Sequence, residues 1–347
     1  MLFMKNMHHF NIPQKKFITD NVYTSFSKIG NYLRDGYLGP DGSTAIDTNK
    51  KSSINKAFSE AIERRAIRAG GIPSSTDKVY AINLIRNKVV EINSIYSSYL
   101  LDKDYPIDTT GSAAHTSSEI VIYNSLKELM EKNGLLLFWY GLHGKKLIIE
   151  DEEYLENNKI VKSLSINGKE CLFFINDFFF PLKIVITIIV NNTFICSSGV
   201  GSSFTLEEAI EKSIQEAFLL LWKDETIELV DSRNRVFIKR YENHSLQLEH
   251  LNRITEKISI SKMSNEARGS SKTEDLLKTL PEWVNNVYVI PLKQYVRPKL
   301  KCVKVFSPEM FNHIPLKEYI NLNNPMNLNV LGLTSEQLSL IPDCLVL

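Results

Sequence analysis

Asn124-Ser125-Leu126-Lys127-Glu128-Leu129-Met130-Glu131-Lys132 is the stretch on which the reading turns. At about 100° per residue, Ile122, Tyr123, Leu126, Leu129 and Met130 cluster on one side of a helix. Asn124, Glu128 and Glu131 fall within about 60° of one another on the other side. Residues three apart share a helix face, so Glu128 and Glu131 aim two carboxylates at a common point. Lys56-Ala57-Phe58-Ser59-Glu60-Ala61-Ile62-Glu63-Arg64-Arg65 repeats the Glu-x-x-Glu pattern, and Lys212-Ser213-Ile214-Gln215-Glu216 carries one central Glu. Carboxylates gathered from several helices suit a hard cation such as Mg²⁺, which usually arrives with phosphates.

Each stretch also has a plainer reading. One acidic face is the solvated side of an amphipathic helix. Glu60 and Glu63 beside Arg64 and Arg65 form intrahelical ion pairs, each worth roughly a few tenths of a kcal/mol. The third helix turns apolar all round through Ile210, Ile214, Ala217, Phe218, Leu219, Leu220, Leu221 and Trp222, the pattern of a buried helix. Glu216 in its middle then needs a partner, because a lone buried carboxylate is costly. A bound metal serves, and so do Lys212 or Lys223.

Asp108-Thr109-Thr110-Gly111-Ser112-Ala113-Ala114-His115 places small residues just before the central helix. Such a loop lets backbone N–H groups approach a phosphate, helped by the helix dipole. It is neither a P-loop nor a G-x-G-x-x-G fingerprint.

Further out, the first helix spans 51–69, with an apolar stripe of Ile54, Phe58, Ala61, Ile62, Ala66 and Ala69. Residues 78–101 suggest two strands around Arg86-Asn87-Lys88. The central helix covers about 117–133, with Asn133-Gly134 as its stop. Residues 170–199 read as strands, beginning with Cys171-Leu172-Phe173-Phe174-Ile175. Asn191-Asn192 is a hairpin turn between 184–190 and 193–197. Residues 197–203 form a small-residue loop, and Thr205 caps the third helix with Glu208 in the capping-box position. Residues 260–275 form a polar loop, and 284–306 hold two more strands. Residues 1–50 are polar with few periodic apolar positions, and 37–42 is a turn. Strand clusters mixed with helices read as an α+β fold.

The 347 residues suffice for one large domain or two ordinary ones, and 43% apolar content supports a sizeable core. A net charge of +1, from 41 basic and 40 acidic residues, carries no nucleic-acid or membrane-surface footprint. Cys171, Cys196, Cys302 and Cys344 are scattered without C-x-x-C spacing, as reduced thiols of a cytoplasmic protein are. The first six residues are too weakly apolar for a signal peptide. The apolar run 171–190 is broken by Asn176, Asp177, Pro181 and Lys183, which fits buried strands rather than a membrane span. The seven histidines form no metal motif, and the Glu-x-x-His pairs of a di-iron bundle are missing.

These residues together resemble the YcaO superfamily, and within it the cyclodehydratase subunits of azole-forming microcin synthetases. Lys56 to Arg65 resembles the family's Glu-x-x-Glu-Arg helix. Asp108 to Gly141 resembles its Gly-loop and second acidic helix, Ala209 to Trp222 its third helix, and Val303-Lys304-Val305-Phe306-Ser307-Pro308 a late strand with a basic residue. Four short motifs in the right order, over roughly residues 50–310, are together specific. The resemblance implies one YcaO-like domain over 1–347, with mixed sheets and helices carrying an acidic Mg–ATP site. Its site segments lie near 51–68, 108–132, 196–223 and 295–308.

The resemblance further implies binding of ATP and Mg²⁺ and phosphorylation of a backbone amide of a ribosomal precursor peptide, leaving thiazoline or oxazoline rings. By carry-over, Glu60, Glu63, Glu128, Glu131 and Glu216 hold the metal and nucleotide, with Glu128, Glu131 and Glu216 closest to catalysis. Arg64 and Lys304 are the phosphate contacts, Ser112 and Ala113 lie by the nucleotide, and Asn124 joins them through its helical face. The implied partners are the precursor peptide, a ThiF-like leader-peptide-binding protein and a flavin-dependent azoline dehydrogenase. Thioamide or amidine formation on the same activated amide is the alternative reaction, and a non-catalytic scaffold subunit the alternative role. The departures are Lys56, Lys132, Leu219, and a C-terminal segment in which only Pro342 stands for the Pro-rich tail of many azole-forming members.

Overall fold

The computed structural model describes residues 8–10, 22–28, 33–34, 37–38, 42–70, 77–101, 106–150, 152–230, 236–262, 272–294, 296–297 and 299–344. In chain order the elements that build the site are β1 (Tyr23–Lys28), β2 (Gly42–Asp47), α1 (Lys50–Gly70), β3 (Lys78–Asn83), β4 (Lys88–Asn93), β5 (Ser112–His115) and α2 (Ser118–Gly141). They continue with β6 (Lys145–Ile148), β7 (Glu170–Asn176), β8 (Lys183–Val190), β9 (Ile195–Ser203), α3 (Leu206–Val230), α4 (Val236–Lys257), β10 (Ser259–Lys262), β11 (Tyr288–Leu292) and β12 (Lys301–Phe306).

Among the described residues two five-stranded sheets dominate. One has the order β5-β12-β11-β3-β4 and is antiparallel throughout. The other has the order β9-β8-β7-β6-β10 and is mixed, because β6 and β10 run parallel. The fold is therefore α+β with mixed sheets.

Alternation of side chains across each strand dictates the layering. In the first sheet Val289, Val303 and Val305 face α2, and Cys302 and Leu292 face α1, where they meet Ile62, Ala66 and Ile67. In the second sheet every residue of β8 is buried. Ile184, Ile186 and Ile188 pack toward α2; Val185 and Ile189 pack against Ile210, Ile214 and Phe218 of α3. Each fully buried Ile or Val contributes about 1.5–3 kcal/mol. α2 thus lies between the two sheets, α1 packs on the opposite face of the first sheet and against β1 and β2, and α3 covers the opposite face of the second sheet. The apolar run at 171–190 is β7 and β8, and among the described residues no helix is long and apolar enough to cross a membrane.

Several local expectations are corrected. The central helix does not stop at Asn133-Gly134 but continues to Gly141, ending on Leu142 in the left-handed region. The Asn133 amide donates to the carbonyls of Leu129 and Phe311 and accepts from the Phe311 N–H, so its polar groups are satisfied inside the helix. Gly134 marks close approach, since a Cβ there would lie 2.7 Å from Ile184 Cδ1.

Residues 197–203 are not a loop but the second half of β9. Their small size serves packing: a Cβ at Gly199 would stand 2.2 Å from the Ala217 backbone nitrogen, and one at Gly201 2.5 Å from the Ala209 carbonyl oxygen. Likewise 112–115 is strand β5 rather than loop, paired with β12. The polar stretch 42–47 is strand β2, paired with β1. The expected Thr205–Glu208 capping box is replaced, because Glu208 accepts from Ser203 Oγ and pairs with Lys212 at 2.6 Å. The third helix runs past Trp222 to Val230, and the first part of the expected 260–275 loop is β10. Of the expected turn at 37–42, Tyr37–Leu38 is a short strand paired with Leu33–Arg34 and Gly42 opens β2, while 39–41 lie outside the described residues. Of the rest of the loop, 263–271 lie outside them and 273–275 begin a short helix, Thr273–Lys278.

Candidate active site

α1, α2 and α3 converge beside β5, the edge strand of the first sheet, around a pocket of about 310 Å³. Its wall includes Glu60, Glu63 and Arg64 from α1, Glu128, Glu131 and Lys132 from α2, and Glu216, Leu219, Leu220 and Lys223 from α3. Thr44, Thr109, Thr110, Ser112, Val200 and Ile314 complete it. The five glutamates singled out in the sequence thus share one cavity, together with Arg64 and Ser112.

Three of the carboxylates have protein partners. Glu60 pairs with Arg64 at 2.6 Å, so the intrahelical ion pair foreseen for α1 is present within the pocket wall. Ser112 Oγ donates to Glu63 Oε1 at 2.6 Å. Ser202 Oγ donates to Glu131 Oε1 at 2.8 Å, and Lys127 Nζ lies 3.5 Å from the same oxygen. Glu128 and Glu216 make no hydrogen bond or ion pair with any described residue. Lys212, weighed as a partner for Glu216, is taken by Glu208; the cations that act on Glu216 are Lys132 and Lys223.

Crowding of carboxylates away from water sets their acidity. Burial, against the Ser112 hydrogen bond and with repulsion from Glu60, pushes Glu63 up to about 7. Burial and the neighbouring Glu63 hold Glu128 well above the ordinary carboxylate range, opposed by Lys132 and Lys304. Glu216 is also raised, first by burial and then by Glu60 and Glu131. Such a site favours a cation.

Lys304 occupies a different place from the one expected of a phosphate contact. It is fully buried behind the wall and donates to the carbonyls of Asp108 and Thr110, at 2.6 Å in the latter case. Burial lowers its basicity, and Asp108, Glu128 and Glu63 work in the opposite direction. The turn it clamps includes Gly111 at φ +76°, where a Cβ would lie 2.6 Å from the Val305 carbonyl oxygen. Ala113 is buried on β5 and Asn124 is exposed on α2; neither lines the cavity.

Of the wall residues, Thr44 and Ile314 lie outside the site segments expected from the sequence, while Thr110, Lys132, Val200 and Leu220 lie within those segments but are not among the individual site residues it names. Lys132 was within reach of periodicity, being four residues after Glu128 on the same face. Thr44 and Ile314 come from distant segments that only the tertiary fold brings together. Pro342 lies elsewhere: its carbonyl accepts from Trp139 Nε1 at 3.0 Å, about 12 Å along α2 beyond Glu131.

The donor set is hard oxygen, which suits Mg²⁺. Among the described residues no three carboxylates are gathered closely enough to hold an ion by themselves. Mg²⁺ is usually held by one or two carboxylates plus phosphate oxygens and waters, so this spacing fits a metal delivered with phosphates. Two buried polar atoms of wall residues, Arg64 Nε and Thr110 Oγ1, have no hydrogen-bond partner among the described residues. Both can donate to an anion.

Fold and site together define a protein with an acidic, three-helix pocket between two sheets, and comparison with known proteins gives that class a name. Residues 76–311 match the family YcaO, described as a YcaO cyclodehydratase, ATP- and Mg²⁺-binding. The chain belongs to the YcaO family. It is similar to the microcin B17-processing protein McbD of Escherichia coli, with 26% identity over 260 residues covering 69% of this chain. The match spans 64% of the length of that curated relative. A chain of the E. coli microcin synthetase McbBCD complex with pro-MccB17 bound superimposes with a TM-score of 0.71 at 19% identity, covering 97% of this chain and 96% of that one. YcaO from Methanopyrus kandleri bound with AMPPCP and Mg²⁺ gives a TM-score of 0.66 at 13% identity, covering 88% and 86%. At these identities the two structures establish a shared fold.

Proposed function

We propose that the chain is an ATP-dependent cyclodehydratase subunit, a single YcaO-like domain that modifies a ribosomal precursor peptide in bacteriocin-like biosynthesis. The observation that carries this reading is the convergence of Glu60, Glu63, Glu128, Glu131 and Glu216 on one cavity that also presents Arg64, Lys132 and Lys223. Glu128 and Glu216, which have no hydrogen-bond or ion-pair partner among the described residues, are the first carboxylates to offer Mg²⁺. Arg64, whose Nε has no hydrogen-bond partner among the described residues, suits a phosphate oxygen.

When bound, Mg²⁺–ATP supplies a phosphoryl group, so that a backbone amide oxygen can leave as phosphate once a Cys, Ser or Thr side chain has attacked the amide carbon, and an azoline ring remains. The chain's own contribution is position and charge. Lys132, Lys223 and Arg64 balance phosphate charge; Val200, Leu219, Leu220 and Ile314 keep part of the wall dry. Lys304 and Gly111 fix the turn that carries Thr110 and Ser112.

The family description and the AMPPCP- and Mg²⁺-bound relative support the nucleotide reading. The McbBCD complex with pro-MccB17 supports a precursor peptide and partner subunits. We take those partners to be a ThiF-like leader-peptide-binding protein and a flavin-dependent azoline dehydrogenase, and the setting to be the cytoplasm, which suits four free cysteines.

The test is to incubate the chain with ATP, Mg²⁺, precursor peptide and partner protein, and to follow peptide mass and phosphate release. Loss of one water per ring, coupled to ATP use and abolished in Glu128→Gln, is expected. Exchange of an amide oxygen for sulfur or nitrogen, or no ATP turnover at all, would contradict the reaction assigned.

A further inference from the structure

β9 is pressed between α3 and α2, and its two faces do different jobs. Gly199 and Gly201 face α3 and let that helix's backbone rest against the strand. The alternate residues Ser198, Val200 and Ser202 face the other way, toward α2. Val200 lines the pocket. Ser202 is fully buried and donates to Glu131 Oε1 at 2.8 Å. Lys127, one turn before Glu131 on α2, brings its ammonium to 3.5 Å from that same oxygen. Neither Ser202 nor Lys127 lines the cavity, whereas Glu131 does. Both contacts fall on one carboxylate oxygen, and the other is engaged by no described residue.

We infer that Ser202 and Lys127 are positioning residues: they hold Glu131 Oε1 from outside the pocket so that the remaining oxygen faces the ligand. The inference rests on the Mg²⁺–nucleotide reading of the site. The physical reason for two holders is the flexibility of a Glu side chain, which otherwise spreads over several rotamers. With the serine alone removed, the carboxylate is free to close on Lys127 and turn away from the cavity. With the lysine alone removed, a carboxylate whose side chain is 14% exposed loses its nearest counter-charge. Partners that orient a metal ligand typically matter by roughly 10–100-fold in metal affinity or activity.

The experiment is calorimetric titration of the full chain with ATP across a series of Mg²⁺ concentrations, for wild type, Ser202→Ala, Ser202→Thr, Lys127→Met and Ser198→Ala. Ser198 is the control. It sits on the same face of β9, is buried, and its hydroxyl has no partner among the described residues. Ser202→Ala and Lys127→Met should each raise the Mg²⁺ concentration needed for half-maximal binding by roughly 10–100-fold. Ser202→Thr, which keeps the hydroxyl, should recover most of it, and Ser198→Ala should leave the Mg²⁺ dependence unchanged. A packing role alone would lower the melting temperature of Ser198→Ala and Ser202→Ala alike without moving the Mg²⁺ requirement; that pattern overturns the inference. Wild-type protein without Mg²⁺-dependent binding overturns the nucleotide reading itself, and the inference with it.

Discussion

Ser112 donates its hydroxyl to Glu63 across 2.6 Å, tying the edge strand of the first sheet to α1 at the pocket wall. Ser112 also stands directly opposite Lys304 in the β5–β12 register. A hydroxyl and a buried ammonium thus approach the same carboxylate from neighbouring strands, and both favour its ionised form, opposing the rise that burial imposes. Ser112→Ala removes a hydrogen bond to a charged group, worth about 1.5–3 kcal/mol. Glu63 should then rise further above about 7. Mg²⁺-dependent nucleotide binding at neutral pH should weaken roughly tenfold and recover as pH is raised by about two units. Equal binding by wild type and variant across that range would disprove the link.

The crowded carboxylates also make stability depend on pH. Glu63 ordinarily titrates at 4.5 and is raised to about 7 in the fold. Folding therefore takes up a proton in this window: the stabilising contribution is fully present below the ordinary carboxylate value and is lost as pH rises through about 7. Glu128 is raised and acts in the same direction. Ligand-free protein should melt lower at pH 8 than at pH 6, with the difference reduced in Glu63→Gln. At pH 8 that variant should melt higher than wild type, by about 2–4 °C for each kcal/mol of strain relieved. A wild-type melting temperature that climbs with pH over this interval would refute the assignment.

Lys304 offers a sharp choice between a phosphate ligand and a structural clamp. Its ammonium is buried on the carbonyls of Asp108 and Thr110. Lys304→Met leaves two carbonyls short of a donor and Glu63 and Glu128 short of a counter-charge. Breaking a buried charged arrangement costs about 3–5 kcal/mol. Denaturant unfolding of the ligand-free chain should show a loss of that size. A variant of wild-type stability that has lost only nucleotide affinity would restore the phosphate-contact role.

Gly199 tests whether close packing of α3 on β9 places Glu216. An added Cβ would meet the Ala217 backbone, which cannot yield as a side chain can. Overpacking of this kind costs about 1–3 kcal/mol or more. Gly199→Ala should lower the melting temperature and weaken Mg²⁺-dependent binding together, because Ala217 adjoins Glu216. Retained affinity in a destabilised variant would separate the two.

The parts of this molecule that could be read in advance are those governed by local rules. Helical periodicity placed Glu60, Glu63, Glu128, Glu131 and Glu216 on three helices, and the family resemblance joined them before any tertiary contact was known. What escaped was set by contacts between distant segments. Gly134 and Gly199 looked like interruptions because small residues usually mark turns; here they let α2 approach β8 and α3 approach β9. Asn133 looked like a helix stop because its partner, Phe311, lies 178 positions away. Lys304 looked like a ligand because burial beneath a site cannot be told from exposure within it by sequence. Thr44 came from a stretch with no visible pattern, because β2 is a short strand rich in small and polar residues.

The central claim is that three helices build one Mg²⁺-dependent ATP site. Calorimetric titration of ATP into the purified chain, with and without Mg²⁺ and beside Glu128→Gln, tests it most directly. The account predicts binding that requires Mg²⁺ and is lost in the variant while the fold survives. ATP binding that ignores both Mg²⁺ and Glu128, or no binding even with the partner protein present, would contradict it.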